Sequence, residues 1–429
     1  MQADRGVRRA AAEWTVTAVA EAGRECLQWF TREKTWINQQ HLEVCRIPAP
    51  TFFEQKRAEW MAQRFAGIGW DARLDRTGNV VARLSAADDG PYIVISAHLD
   101  TVLTPRMPED VSLGAEGKFH GPGVSDNGAG LTALLAVARA IKSCPPLPEW
   151  NATPLLVANV AEEGEGNLNG MRYLCRQSPL ARRIRGYIVL DGPSTGHITV
   201  EALASRRFEV LFQGPGGHSW SDRGAANPVH ALSRMITLFA DMQAAESARN
   251  GDVRRSYNFG VVEGGVSVNS IPSSARAKLD IRSESIEVLD DMAAQISGAA
   301  EKAKDTENGR ASGGKLTAKI RETGMRPGGR LHPEASILRH IRAVDTHLAI
   351  RSQPDCASTD ANIPLSMGLP AISIGTGGAG GGAHSPSEWF HPEGRDLGLK
   401  RIFLLLCLLM AENRGQPACF PSRDTIRSR

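Results

Sequence analysis

The sequence predicts an α/β fold: a mostly parallel sheet flanked by helices, interrupted by an inserted β-α-β-β-α-β domain. Short β-branched runs alternate with helical stretches in the first part of the chain, the pattern of a parallel sheet covered on both faces. Near residue 204 the texture changes to alternating strands and long helices, and it changes back after residue 325. Length agrees, because 429 residues exceed the size at which one core usually keeps growing. The expected division is 1–203 and 326–429 for the two segments of the large domain, with 204–325 inserted between them.

In chain order, "YIVISAH", "PLLVANVAEE" and "YIVLDGP" are apolar runs bounded by glycine, proline or charge, which reads as buried strands. "GAGLTALLAVARAIKSC" and "NLNGMRYLCRQS" lie between them as helices. In the insertion, "RRFEVLFQGP" alternates like a half-buried strand and "NPVHALSRMITLFADMQAA" has helical period. "SYNFGVVEGG" and "SARAKLDIRS" follow as strands, "IEVLDDMAAQISGAAEKAKDT" as a helix and "KLTAKIRETG" as a last strand. That order is ferredoxin-like. After "GMRPGGRL" the chain resumes with "AISIGTGG" as a strand and "RDLGLKRIFLLLCLLMAENR" as a closing helix.

Composition narrows the function. The formal charge is +3, from 50 basic and 47 acidic residues, which is too balanced for a nucleic-acid binder with a concentrated basic face. Seven cysteines are scattered without a CxxC pair, an odd set that suits a reducing compartment. No stretch approaches the roughly 20 apolar residues of a membrane span, and "IFLLLCLLMA" reads as a core helix. The N-terminal stretch reads as an amphipathic helix, since Glu13 and Glu21 interrupt any signal-peptide core. A cytoplasmic protein is expected.

Polar clusters fall at or just beyond the C-terminal ends of the predicted strands, where open α/β sheets bind ligands. "ISAHLDTV" carries His98 and Asp100, two apart and so on one face of an extended segment. "GPGVSDNGAG" carries Asp126 in a glycine-rich turn before a helix, where it could equally serve as an N-cap. "LVANVAEEGEG" ends a strand with Glu162 and Glu163, and "YIVLDGPS" places Asp191 at a strand end where a simple Asp-Gly turn would also fit. Much later, "GGGAHSPSEWF" puts His384 in a glycine loop. Together these form a mixed nitrogen and oxygen donor set suited to zinc or a similar divalent ion. Five ligands are too many for one open tetrahedral site but suit two ions sharing a bridging carboxylate, for which Asp126 is the natural candidate.

In that order, "SAHLDTV", "GPGVSDNGAG", "NVAEEGEG", "YIVLDGPS" and "AHSPSEW" resemble the di-zinc family of aminoacylases, glutamate carboxypeptidases, acetylornithine deacetylases and peptidase T. The resemblance covers roughly residues 90–395. It implies that His98, Asp126 and Asp191 hold one ion, and Asp126, Glu163 and His384 the other. It further implies that Asp100 orients His98 and that Glu162 is the general base. "GPGGHSW" resembles the family's lid motif, whose His218 would reach the oxyanion in a partner subunit's site. "SVNSIP" and "LDIRS" resemble the stretches that supply Asn269 and Arg282 to the substrate. "STDANIP" looks like the family's Thr-Asp-Ala segment, but "CAS" replaces the usual glycines before the threonine, and no role is carried over to Asp360. A homodimer paired through the insertion is implied.

"GTGGAG" at 375–380 matches a dinucleotide fingerprint literally, but it runs into a proline-containing loop and not a helix. Its backbone amides are expected to contact substrate near His384. The expected activity is therefore di-metal hydrolysis of amide bonds in di- or tripeptides. An N-acyl-amino-acid deacylase is the alternative, and a non-catalytic peptide-binding paralogue is the rival of another class.

Overall fold

The computed structural model describes residues 14–144, 150–249 and 253–412. The beginning of the predicted N-terminal helix and Cys419 lie outside the described residues. The first described helix is Val16–Ala22, capped by Thr15, whose hydroxyl accepts the Ala18 N–H at 3.2 Å. The six cysteines among the described residues are unpaired thiols.

The large sheet runs, from one edge, Asp71–Leu74, Val80–Arg83, Thr153–Asn159, Tyr92–His98, Ile184–Leu190, Ala371–Ile374 and His197–Ala202, with Gly329–Arg330 and Gln353–Ala357 both pairing on the last of these. Its four central strands, from Thr153–Asn159 to Ala371–Ile374, are parallel, as the apolar runs predict. Val80–Arg83 and His197–Ala202 join antiparallel on either side. Every residue of Tyr92–His98 is buried. Successive side chains of a strand point to opposite faces, so both faces are covered. The "IFLLLCLLMA" stretch lies within the buried helix Arg395–Ala411. Arg401 of that helix is fully buried and forks onto Asp345 of helix Ser336–His347, at 2.6 and 2.7 Å.

Ala204–Gln213, Pro228–Arg249, Arg255–Gly264, Ser274–Ser283, Ile286–Arg310 and Thr317–Arg326 follow one another as β-α-β-β-α-β. Their antiparallel sheet is ordered 255–264, 274–283, 204–213, 317–326. Alternate residues of Ser274–Ser283 are buried, and that face joins the two helices in an apolar cluster of its own, with Phe212, Ile281 and Met292. The opposite, polar face of the sheet rests on the loop after Thr153–Asn159. Lys278 Nζ lies 2.6 Å from Glu165 Oε1, Arg207 donates to the Gly164 carbonyl, and Arg172 donates to the Met325 carbonyl. Arg255–Gly264 is an edge strand, and Val262, Val266 and Val268 on it and in the turn beyond are exposed.

Short elements escape the sequence reading: the Asp71–Leu74 and Val80–Arg83 hairpin, His197–Ala202, and a small sheet formed by Ser112–Leu113, Phe119–His120, Trp389–His391 and Ala379–Gly381. Strands this short carry too few residues for a period to show.

Burying Arg401 is tolerable only because Asp345 meets it. Asp345→Ala should therefore lower unfolding stability by about 3–5 kcal/mol, the usual cost of stranding a buried charge. Denaturant titration would measure it, and an unchanged midpoint would show that the pair contributes nothing.

Candidate metal centre

The central parallel strands end side by side at Asn159, His98, Leu190 and Ile374. His98 closes its own strand, Asp191 directly follows Leu190, and Glu162 and Glu163 lie just past Asn159. Asp126 enters from the turn before helix Gly128–Ser143, through a cis peptide to Asn127. His384 enters from the loop joining Ala379–Gly381 to Trp389–His391. Left-handed backbone at two non-glycine residues sets the approach: Ala161 (φ 57°) turns the chain into the glutamate pair, and His384 itself has φ 63°. Such strained positions tend to collect at functional sites.

All five predicted ligands converge. His98 Nε2 lies 3.0 Å from Asp126 Oδ1, and His384 Nε2 lies 3.0 Å from Asp126 Oδ2 and 2.9 Å from Glu163 Oε1. Ligand atoms of His98, Asp126 and Asp191 lie within 4.8 Å of one another, as do those of Asp126, Glu163 and His384. Asp126 thus turns one oxygen toward each histidine and belongs to both groups. Glu162 forms a further such group with His98 and Glu163.

Asp100 contacts His98 and has a second set of partners. His98 Nδ1 donates to the Asp100 main-chain carbonyl at 2.9 Å, while the nearer carboxylate oxygen stands 3.6 Å away. The carboxylate instead accepts the backbone N–H groups of Glu162 (3.0 Å) and Glu163 (2.8 Å) and the Thr51 hydroxyl (2.9 Å). It holds the glutamate pair in place, while the imidazole meets the Asp100 carbonyl at 2.9 Å with the carboxylate oxygen at 3.6 Å.

Glu388 and Arg326 were given no role by sequence reasoning. Glu388, buried, accepts N–H bonds from Gly123, Ser125 and Asp126 at 2.7–2.9 Å and so shapes the turn that presents Asp126. Its presence two residues before the end of "HSPSEWF" was the only signal. Arg326, also buried, donates from Nη1 to Glu162 Oε1 at 2.9 Å. Glu162 is therefore ion-paired and does not simply face water. Asp360 is buried behind the site with Oδ2 2.6 Å from Asn159 Nδ2.

The charges explain what such a pocket needs. Burial pushes the Asp191 carboxyl up to about 7, with Asp126 adding to the effect, and burial pushes Asp360 up to about 6. Burial also drives Glu162 well above the carboxylate range, against the pull of Arg326. Burial opposes the charge on Asp126, but hydrogen bonds from His384 and His98 outweigh it and hold that carboxyl below its usual range. His384 is pushed up to about 10 by Asp126 and Glu163. Burial disfavours charge on His98, yet Asp100 and Asp126 hold it well above its ordinary value. Crowded carboxylates thus borrow protons and imidazolium charge, and divalent cations would supply the same compensation. A mixed imidazole and carboxylate donor set in two groups that share Asp126 fits a pair of such ions.

The predicted substrate residues lie elsewhere. His218 is exposed and hydrogen-bonds within its own loop, where its Nδ1 accepts the Trp220 N–H at 3.2 Å. Asn269 adjoins it, its carbonyl accepting the Ser219 N–H at 3.0 Å. Arg282, on the polar face of the inserted sheet, pairs with Asp280 at 2.7 Å. The 375–380 loop forms no helix, and two of its amides are spent on the chain itself: Thr376 N–H bonds the Gly192 carbonyl (3.1 Å) and Gly377 N–H the Pro193 carbonyl (2.8 Å). Those two amides are not available to a substrate, because the loop is docked on the turn after Asp191.

Known proteins resemble the chain in sequence and in fold. The chain is 26% identical over 262 residues to a probable carboxypeptidase of Aspergillus clavatus, covering 56% of each. It is 26% identical over 218 residues to a succinyl-diaminopimelate desuccinylase of Bradyrhizobium diazoefficiens, covering 48% of this chain and 55% of that protein. The chain spans about half the length of the curated relatives it matches. In fold it is similar to a tripeptidase from Staphylococcus aureus (TM-score 0.70, 17% identity, 88% of this chain and 99% of that one). It is likewise similar to a dipeptidase from Saccharomyces cerevisiae (TM-score 0.70, 14% identity, 92% and 99%). Residues 94–406, most of the chain, match the model of peptidase family M20/M25/M40, and the chain belongs to that family.

Proposed function

We propose that the protein is a two-metal hydrolase that cleaves the amide bond of small peptides as a di- or tripeptide exopeptidase. The observation that carries this reading is Asp126, which faces one histidine with each carboxylate oxygen and joins two three-residue ligand groups. His98, Asp126 and Asp191 would hold one ion, and Asp126, Glu163 and His384 the other. Zinc suits the donors, with cobalt or manganese as substitutes. The chemistry such ions supply is polarisation of the scissile carbonyl and a lowering of water's pKa from near 15.7 to about 7.

The chain's own residues do the rest. Glu162 takes a proton at its carboxylate and later passes it to the leaving amine. Asp100 fixes the backbone of both glutamates, so Glu162 and Glu163 keep separate tasks although adjacent. Arg282 offers a planar fork to a substrate carboxylate, in competition with Asp280. The unit spanning 204–325 serves as lid and dimerisation domain, between catalytic segments 1–203 and 326–429. His218 and Asn269, neighbours on that unit whose hydrogen bonds among the described residues stay within their two loops, act in the partner's site. A reducing, cytoplasmic setting is consistent with the scattered thiols. An N-acyl-amino-acid deacylase is the second reading, favoured by the desuccinylase among the relatives, since one base and one metal pair cut either amide. A panel of dipeptides, tripeptides and N-acyl amino acids, tested with and without chelator, separates these readings from a non-catalytic peptide binder.

Elemental analysis of zinc-loaded protein should approach two equivalents per chain. Without ions His384 keeps its proton up to about pH 10 and Asp191 keeps a share of its proton up to about 7. Zinc needs both deprotonated, so binding should release protons at neutral pH and weaken as pH falls. Calorimetry in buffers of different ionisation enthalpy would detect the release; its absence would contradict the assigned ligands.

Glu162→Gln should abolish turnover and leave metal content nearly intact, because glutamine keeps the shape but accepts no proton. Glu163→Ala should also lower metal occupancy. Equal metal loss in both variants would refute the division of labour between them.

The exposed edge strand Arg255–Gly264 is a ready pairing surface. Light scattering should report about twice the 46.2 kDa chain mass. His218→Ala should reduce kcat by about 10²–10³, the usual cost of one oxyanion donor, with little change in KM. A fully active monomer would sink both the dimer and the cross-subunit histidine.

A further inference from the structure

We propose that Arg326 is a positioning residue that fixes the general base and couples it to the inserted unit. This rests on the reading of Glu162 as that base. Arg326 is the last residue of Thr317–Arg326, the strand by which the chain leaves the insertion. It stands opposite Ser205, at the start of the strand by which the chain enters. Both crossings between the two units therefore lie side by side, and Arg326 sits on them.

From that place the guanidinium reaches back into the metal centre. Nη1 donates to Glu162 Oε1 at 2.9 Å and to Ser358 Oγ at 3.0 Å, and Nη2 donates to the Glu162 main-chain carbonyl at 2.5 Å. Residue 162 is thus gripped at its backbone and its side chain by one planar fork, a grip that a lysine cannot reproduce. Both side chains are about 6% exposed. The other ion pair between the inserted sheet and this loop, Lys278 with Glu165, is 35% and 61% exposed and contributes little. Only the Arg326 contact combines burial, charge and a catalytic partner.

The fork holds Oε1, and the carboxylate also lies within 4.8 Å of ligand atoms of His98 and Glu163. Proton transfer requires that carboxylate to be held closely, since a misplacement of about 1 Å can cost about 10²-fold in rate. Because the anchor rides on the exit strand, a displacement of that strand would move Arg326 relative to Glu162. Lid position and orientation of the base become one variable.

The test uses Arg326→Met, Arg326→Lys, Glu162→Gln and the Arg326→Met/Glu162→Gln double variant. Arg326→Met should lose about 10²-fold in kcat while KM changes little and both metal equivalents remain. Added guanidinium ion should restore part of that activity, and Arg326→Lys should lose less than Arg326→Met. In the metal-free proteins the melting-temperature shift of the double variant should be smaller than the sum of the two single shifts, the mark of a direct pair. If Arg326→Met does not fold, Arg326→Lys carries the test, with a kcat loss at constant KM expected. Unchanged kcat in the folded arginine variants beside an inactive Glu162→Gln, or strictly additive losses, would overturn the proposal alone. Full activity of Glu162→Gln would remove the base assignment, and the proposal with it.

Discussion

Concentrated negative charge, buried at one edge of the parallel strands, is the constraint on which the rest of this structure depends. Asp100, Asp126, Glu162, Glu163, Asp191 and Asp360 crowd into one region, and burial penalises the charged form of each one whose titration is shifted. The fold answers with directed donors: backbone N–H groups onto Asp100, imidazoles onto Asp126 and Glu163, a guanidinium onto Glu162, and the Asn159 amide onto Asp360. What those donors leave uncompensated sits between His98 and His384, where two ligand groups meet at Asp126. The same crowding that destabilises an empty pocket suits it to cations.

Support for the candidate ligands comes from carboxylates that accept backbone amides. Glu388 gathers three amides of the turn that carries Asp126, and Asp100 gathers two of the segment that carries the glutamates. Glu54 accepts the Ala161 N–H at 2.9 Å and so stabilises the left-handed residue on which that segment pivots. Each contact substitutes a fixed anion for a loop's own secondary structure. Irregular chain can then hold a geometry that helices and strands would hold unaided.

The inserted unit is built on a different balance. Its core is two helices on one face of an antiparallel sheet, and its other face is studded with arginine, lysine, aspartate and glutamate. That polar face lies against the glutamate loop through long side chains, Lys278 and Arg207 among them. Arg326 is the exception, buried and bound to a single carboxylate. An otherwise adaptable contact therefore has one fixed point.

Much of this was present in the sequence. Apolar runs such as "YIVISAH" identify buried strands because a sheet covered on both faces favours apolar residues at successive positions, and the return from period-2 to mixed texture marks the insertion. His98, Asp126, Glu162, Glu163, Asp191 and His384 could be named because ligand chemistry restricts the residue types and strand ends restrict the places. Tertiary structure alone decided which partner each charge takes. Arg326 and Glu162 are 164 positions apart, and Glu388 lies 262 positions from Asp126, so no periodicity or spacing links them. The two amides that the Asp100 carboxylate accepts, 62 and 63 positions away, are hidden from the sequence for the same reason. Hydrogen-bond partners are set by distances of about 3 Å, and those distances exist only once the chain has folded.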